Sequence, residues 1–195
     1  MSAPSLPYFP LKRARVHEVC GPGAVSFATV LMGHLEGAVL WVREGHGRAH
    51  LNPLGVLPFA GPDRLLMANA SDQADRLAVA EDALRAGALG LVVIEISKPL
   101  SLTAGRRLQL AAKAGDCIGL CLIPEGMGSN AAETRWQAAP VLNDAADDST
   151  LFCWSLIKNK SGTNGSWYVR WDHTTHRLTV VSPAGKRPGS EDLPS

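Results

Sequence analysis

Apolar positions along this chain follow a helical period in some stretches and a strand period in others, and the change divides it. Residues 15–20 read as a strand that runs into a glycine turn, Gly21-Pro22-Gly23. Phe27, Val30, Leu31 and Leu35 then recur at helical spacing and predict a helix over 24–36. A short apolar strand over 38–42 follows, then a loop carrying Gly45, Gly47, Pro53 and Pro58. Residues 63–68 predict another strand. Ser71 or Asp72 is placed to cap a helix that stops at Gly87. Residues 89–96 are unbroken apolar sequence, the pattern of a strand buried on both faces of a parallel sheet. A helix over 103–114 ends at Gly115, and 117–123 is a second buried strand. Asn130 and Glu133 have capping-box spacing, which predicts a short helix through Ala138.

Beyond this point the period becomes two. Residues 151–160, 166–172 and 177–182 predict three strands of an antiparallel meander. In the middle one Trp167, Val169 and Trp171 face one way and Tyr168 and Arg170 the other. Strands alternating with helices over 15–123 imply right-handed βαβ crossovers and a mainly parallel sheet flanked by helices. The meander should extend that sheet at one edge. The expected organisation is one α/β domain over 15–182, an N-terminal arm over 1–14 and a disordered polar tail over 183–195.

Composition narrows the function classes. The chain has 195 residues, 46% hydrophobic and 19% charged, as expected for a globular domain with a sizeable core. A net charge of +1 gives no global attraction to nucleic acid or anionic membrane. No apolar run approaches the ~20 residues of a membrane helix, and the N-terminus lacks the apolar core of a secretory signal. The cytoplasm is the expected location. Cys117 and Cys121 share a strand face roughly 13 Å apart, too far for one zinc ion. With Cys20 and Cys153 they read as buried, reduced thiols. His46, His50, His173 and His176 have no acidic or cysteine neighbour at short spacing apart from Asp172. Neither a metal nor a cofactor is expected.

The glycine turn carries the most specific chemistry. A strand, a glycine turn and a helix are the layout of a phosphate-binding loop, which continues Gly-Lys-Ser/Thr to supply a cation and a magnesium-binding hydroxyl. Around Gly21 and Gly23 those three positions are Ser26, Phe27 and Ala28, so glycine, cation and hydroxyl are all missing. Only backbone N–H groups at the helix start remain to hold a phosphate. The turn reads as a relic, with a weak nucleotide site as its rival. Arg106 and Lys113 lie two turns apart on one face of the 103–114 helix, with Arg107 beside them. They form either a small basic patch for DNA or a partner, or an ordinary solvated face. Trp136, Trp154, Trp167 and Trp171 are available to stack on bases, but the Trp-Val-Trp alternation predicts inward packing.

Over 16–182 the residues resemble RecA, the bacterial recombinase. Asp63-Arg-Leu-Leu-Met-Ala and Ala83-Leu-Arg-Ala-Gly-Ala-Leu-Gly-Leu-Val-Val-Ile-Glu95 look like the segment ending in its Walker B strand, and Leu156-Ile-Lys-Asn-Lys160 like its Lys-Asn-Lys strand. Gly21-Pro-Gly-Ala-Val-Ser-Phe27, Trp41-Val-Arg-Glu-Gly45, Ser97-Lys-Pro-Leu100, Arg106-Arg-Leu-Gln-Leu-Ala-Ala112 and Ser129-Asn-Ala-Ala-Glu-Thr-Arg-Trp136 resemble the shortened RecA-like ImuA family of bacterial SOS mutagenesis operons.

That resemblance implies a RecA-like fold and a role in error-prone translesion DNA synthesis. The implied partner is ImuB, an inactive relative of Y-family polymerases, and through it a specialised DNA polymerase. It implies an adaptor and not an enzyme. Glu95 stands where Walker B has aspartate, and Glu44 where RecA has its water-activating glutamate, which has no task without a positioned γ-phosphate. The segments matching the two DNA-binding loops, 96–105 and 124–129, are short, so DNA contact stays open. Lys158 and Lys160 match lysines that reach a neighbouring subunit's nucleotide; here they would meet an acidic partner or DNA phosphate, or protect a solvated edge strand. Self-association, in which Phe9 and the 1–14 arm dock on a neighbour, and contact with RecA are further partner readings. Two rival functions remain: a divergent ATPase taking its cation from Lys158 or Arg43, and a cell-division inhibitor of the SulA type.

Overall fold

The computed structural model describes residues 5–45, 51–142 and 149–183. His46, His50 and the tail from 184 onward lie outside the described residues. The described residues form one nine-stranded sheet with helices on both sides. In chain order it runs β1 (Arg15–Cys20), α1 (Ala24–His34), β2 (Val39–Glu44), α2 (Pro53–Val56), β3 (Leu65–Ala70), α3 (Gln73–Ala86), β4 (Leu91–Glu95), α4 (Leu102–Ala114), β5 (Ile118–Leu122), β6 (Thr134–Val141), β7 (Ser149–Asn159), β8 (Gly165–Asp172) and β9 (Arg177–Pro183). The strand order is β3-β2-β4-β5-β1-β6-β7-β8-β9. Strands β3 to β6 in that row are parallel neighbours, and the β6–β9 meander is antiparallel.

The apolar runs explain the centre of the sheet. On β4, Leu91 and Val93 point into one core and Val92 and Ile94 into the other, so both faces of the strand are buried. The first core lies under α1, α2 and the N-terminal segment and holds Trp41, Trp136, Trp154 and Trp171. The second lies under α3 and α4 and is built from smaller side chains, among them Ala80, Ala111, Ala112 and Cys121. Helix ends are set locally. The Asp72 carboxylate accepts from the Asp75 N–H, Ser101 accepts from Ala104, and Gly87 closes α3 in the left-handed region.

One predicted element is different. The segment expected as a helix through Ala138 is a loop over 129–133 followed by β6. Its polar–apolar alternation buries Thr134, Trp136 and Ala138 on one side. The main chain of Glu133 is already committed to strands: its N–H donates to the Val16 carbonyl and its own carbonyl accepts from the Lys160 N–H. Pairing on both sides outweighs the helix preference of Gln137-Ala138-Ala139. The N-terminal segment folds onto its own domain. Leu6 and Leu11 are buried, and the Phe9 ring packs edge-on against Phe27 and at a tilt against Trp154. Among the described residues no helix is long and apolar enough to cross a membrane.

Candidate functional site

The glycine turn between β1 and α1 is closed. Helix α1 begins at Ala24, so Ser26, Phe27 and Ala28 sit inside its first turns. The Gly23 N–H donates to the Ala138 carbonyl at 2.9 Å, and the Ala24 N–H to Gly21 at 3.1 Å. Those amides are therefore not aimed at an anion. Strand β6 presses on the turn: a Cβ at Gly21, whose φ is +92°, would lie 2.5 Å from the Ala138 oxygen. Phe27, at the lysine position, is fully buried, with ring centroids 4.5 Å from Trp154 and 5.6 Å from both Phe9 and Trp136. An aromatic cluster fills the place where a cation would reach for phosphate.

The two acidic positions are also engaged by protein. Glu95 accepts from the Trp41 indole N–H at 2.9 Å. Glu44 pairs with buried Arg76 at 3.0 Å, and the same guanidinium donates to the Ser97 hydroxyl at 2.7 Å. Glu95 thus ties β4 to β2, and Glu44 ties β2 to α3.

Next to the turn lies a polar cluster that the sequence did not announce. Glu18 is buried on β1, ion-paired to Arg135 of β6 at 2.7 Å, and its second oxygen accepts from the Ser129 N–H at 2.7 Å. His17 is also buried. The Lys12 carbonyl can only accept, so Nε2 carries the proton across 3.0 Å, and Nδ1 accepts from the Thr134 hydroxyl at 2.7 Å. The Trp136 indole in turn donates to Thr134 at 3.2 Å. Burial, partly offset by the Lys12 hydrogen bond, lowers the His17 pKa from 6.5 to about 4.

The unfolded chain therefore takes up a proton that the native state refuses. This group leaves stability unchanged above pH 6.5 and is expected to lower it by about 3 kcal/mol as the pH falls to about 4. Urea midpoints across that interval check this. A His17→Gln variant should lose that part of the pH dependence, and a wild-type profile flat through it would contradict the assignment.

The basic residues divide into two groups. Arg106 and Lys113 of α4 face an open groove of about 570 Å³ that is also lined by Arg15 and Lys160. Arg107, one position along, turns away and pairs with Glu81 at 2.7 Å. Arg135 pairs with Lys158 but Trp136 with Leu156, so Ile157 is the extra residue of a bulge that sets the direction of the lysines. Lys158 donates to the carbonyls of Ser129, Asn130 and Ala132, and Lys160 to that of Ala131 at 2.7 Å. Both bind the 129–132 loop of their own chain. Gln109 fixes the groove floor. Its amide accepts from the Val16 N–H at 3.1 Å and donates to the carbonyls of Val16 and Ala131 at 2.8 and 3.0 Å.

The remaining candidate chemistry is quiet. Trp136, Trp154 and Trp171 are buried, and Trp167 packs against the same core. Cys20, Cys117 and Cys121 are buried free thiols, and Cys153 is half-buried. Burial raises the Cys117 pKa to about 11 and that of Cys121 further, which keeps both as unreactive thiols. Among the described residues no group of three or more His, Cys, Asp or Glu side chains is arranged to hold a metal ion.

Comparison with known proteins adds three findings. The chain is 31% identical over 198 aligned positions to Protein ImuA from two strains of Caulobacter vibrioides, covering 85% of this chain and 80% of the relative. No protein-family model matches it. Among solved structures the crystal structure of the RadB recombinase superposes with a TM-score of 0.60 at 14% identity, over 83% of this chain and 89% of that one. This likeness shows that the fold is RecA-like.

Proposed function

The chain belongs to the ImuA family of SOS mutagenesis accessory proteins, and on that premise we propose that it is a non-catalytic adaptor of the translesion synthesis machinery that binds ImuB. Through ImuB it would reach the specialised polymerase that performs the synthesis. The observation that carries the reading is the buried Phe27 ring at the lysine position, within a turn whose Gly23 N–H is given to Ala138. A P-loop grips phosphate with amides and a lysine; here the amides have protein partners and the lysine is a core aromatic. Glu44 and Glu95 support the same reading, because each is held by a side chain of its own domain. The divergent-ATPase alternative takes its cation from Lys158 or Arg43; the Lys158 ammonium is spent on loop carbonyls, and Arg43 is buried.

Two measurements test the proposal. Calorimetric titration with a non-hydrolysable ATP analogue and Mg²⁺ is expected to give no heat of binding, and micromolar affinity would restore the ATPase reading. Purified ImuB should be captured by the immobilised chain, while the division tubulin homologue should not. Capture of the latter alone would move the assignment to a cell-division inhibitor.

A further inference from the structure

We infer that the groove between α4 and the 129–133 loop receives an acidic, leucine-bearing segment of a partner protein. This deepens the adaptor reading and rests on it.

Charge is the first argument. Arg15, Arg106, Lys113 and Lys160 surround the groove, and Glu133 is its one carboxylate. Glu133 is already engaged by Arg15 at 3.6 Å and by the Ser161 hydroxyl at 3.2 Å. Lys160 is held by the Ala131 carbonyl. Among the described residues Arg106 and Lys113 have no hydrogen-bond or ion-pair partner, whereas Arg107 between them in sequence finds Glu81. Two cations seven residues apart stand roughly 10 Å from each other along the helix, so each can meet a separate carboxylate. Ion pairs at a solvated rim give orientation and on-rate more than affinity, which suits a transient docking contact.

Apolar surface is the second argument, and it selects the class of partner. Helix α4 buries Gly105, Leu108, Ala111 and Ala112 against the sheet. It carries a second stripe on the groove side, where Leu102 is 47% and Leu110 67% exposed. Leu102, Arg106, Gln109, Leu110 and Lys113 recur at helical spacing, so apolar and cationic side chains alternate along one strip. A nucleic acid would meet cations here but no stacking partner, since none of the residues lining the groove is aromatic. A peptide with leucine between acidic residues covers both leucines and meets both cations. The volume, about 570 Å³, is within the range of clefts that bury a few side chains. The floor is held by Gln109 across α4, β1 and the loop, so the groove is formed before binding.

The test is fluorescence anisotropy of the full chain with a labelled peptide of Glu-Leu-Asp repeats. Saturable binding is expected, weakened at least roughly tenfold by the charge-reversing pair Arg106→Glu and Lys113→Glu, and comparably by leucine-to-serine changes in the peptide. Thermal melting of the double variant should match that of the parent, because both side chains are exposed and unpaired. No binding, or binding that ignores both changes, overturns the inference. So does an oligothymidylate bound through the same two cations when the peptide is not. Purified ImuB separates the two levels of the reading. Loss of ImuB capture on charge reversal supports the groove as its dock, and undiminished capture overturns that while leaving the adaptor role intact. Failure of the parent chain to hold ImuB counts against the adaptor role alone, since the peptide titration needs no ImuB.

Discussion

Replacing Phe27 by lysine, the residue a phosphate loop would carry, is expected to cost about 3–5 kcal/mol of stability and to gain no nucleotide affinity. The Phe27 ring is wholly buried and touches Phe9, Trp136 and Trp154. Lysine in its place removes the ring and brings an ammonium into an apolar cluster, where it must either remain charged without a partner or lose its proton. The amides that would complete a phosphate cradle are occupied as well, that of Gly23 by Ala138. Phe27→Leu is the control and should cost clearly less, because it keeps an apolar side chain at the site. Urea midpoints measure both, and calorimetry with an ATP analogue checks the second half of the expectation. A lysine variant as stable as the parent, or one that binds ATP, would show that the pocket still exists behind the ring.

Cutting the Glu18–Arg135 pair should rank next. Arg135→Met leaves the Glu18 carboxylate buried with the Ser129 N–H as its remaining partner and is expected to cost about 3–5 kcal/mol. Adding Glu18→Gln to it should recover a large part of that loss, since the amide oxygen can still accept from Ser129 and no buried charge remains. Equal urea midpoints for the single and double variants would mean that the charge itself is not what the fold is sensitive to.

Much of the architecture was legible in the chain because local patterns and burial agreed there. The unbroken apolar runs at β4 and β5 became central strands, Asp72 and Gly87 bound α3, and Trp167-Val169-Trp171 alternate as expected of a meander. Strand β6 was hidden for the opposite reason. Asn130, Glu133 and the Gln-Ala-Ala run carry helical preference, and the pairing that overrides it comes from β1, more than a hundred positions earlier. The same distance concealed Glu18, His17 and Gln109. Each is an unremarkable polar residue in sequence, and each acquires a role only through a partner far along the chain: Arg135, Thr134 and Val16. Arg106 and Lys113 were readable as a pair because helix spacing is local, but their grouping with Arg15 and Lys160 depends on the sheet.

The seating of the Ala138 carbonyl against the Gly21–Gly23 turn locks the shape of the turn to the strand beside it. A single substitution in the turn frees neither the amides nor the space, since β6 would have to withdraw at the same time, and the strand is held by neighbours on both sides. Of the positions around the turn, half-buried Ser26 has room to vary, whereas fully buried Ala28 and Gly21 beside the Ala138 oxygen cannot be enlarged.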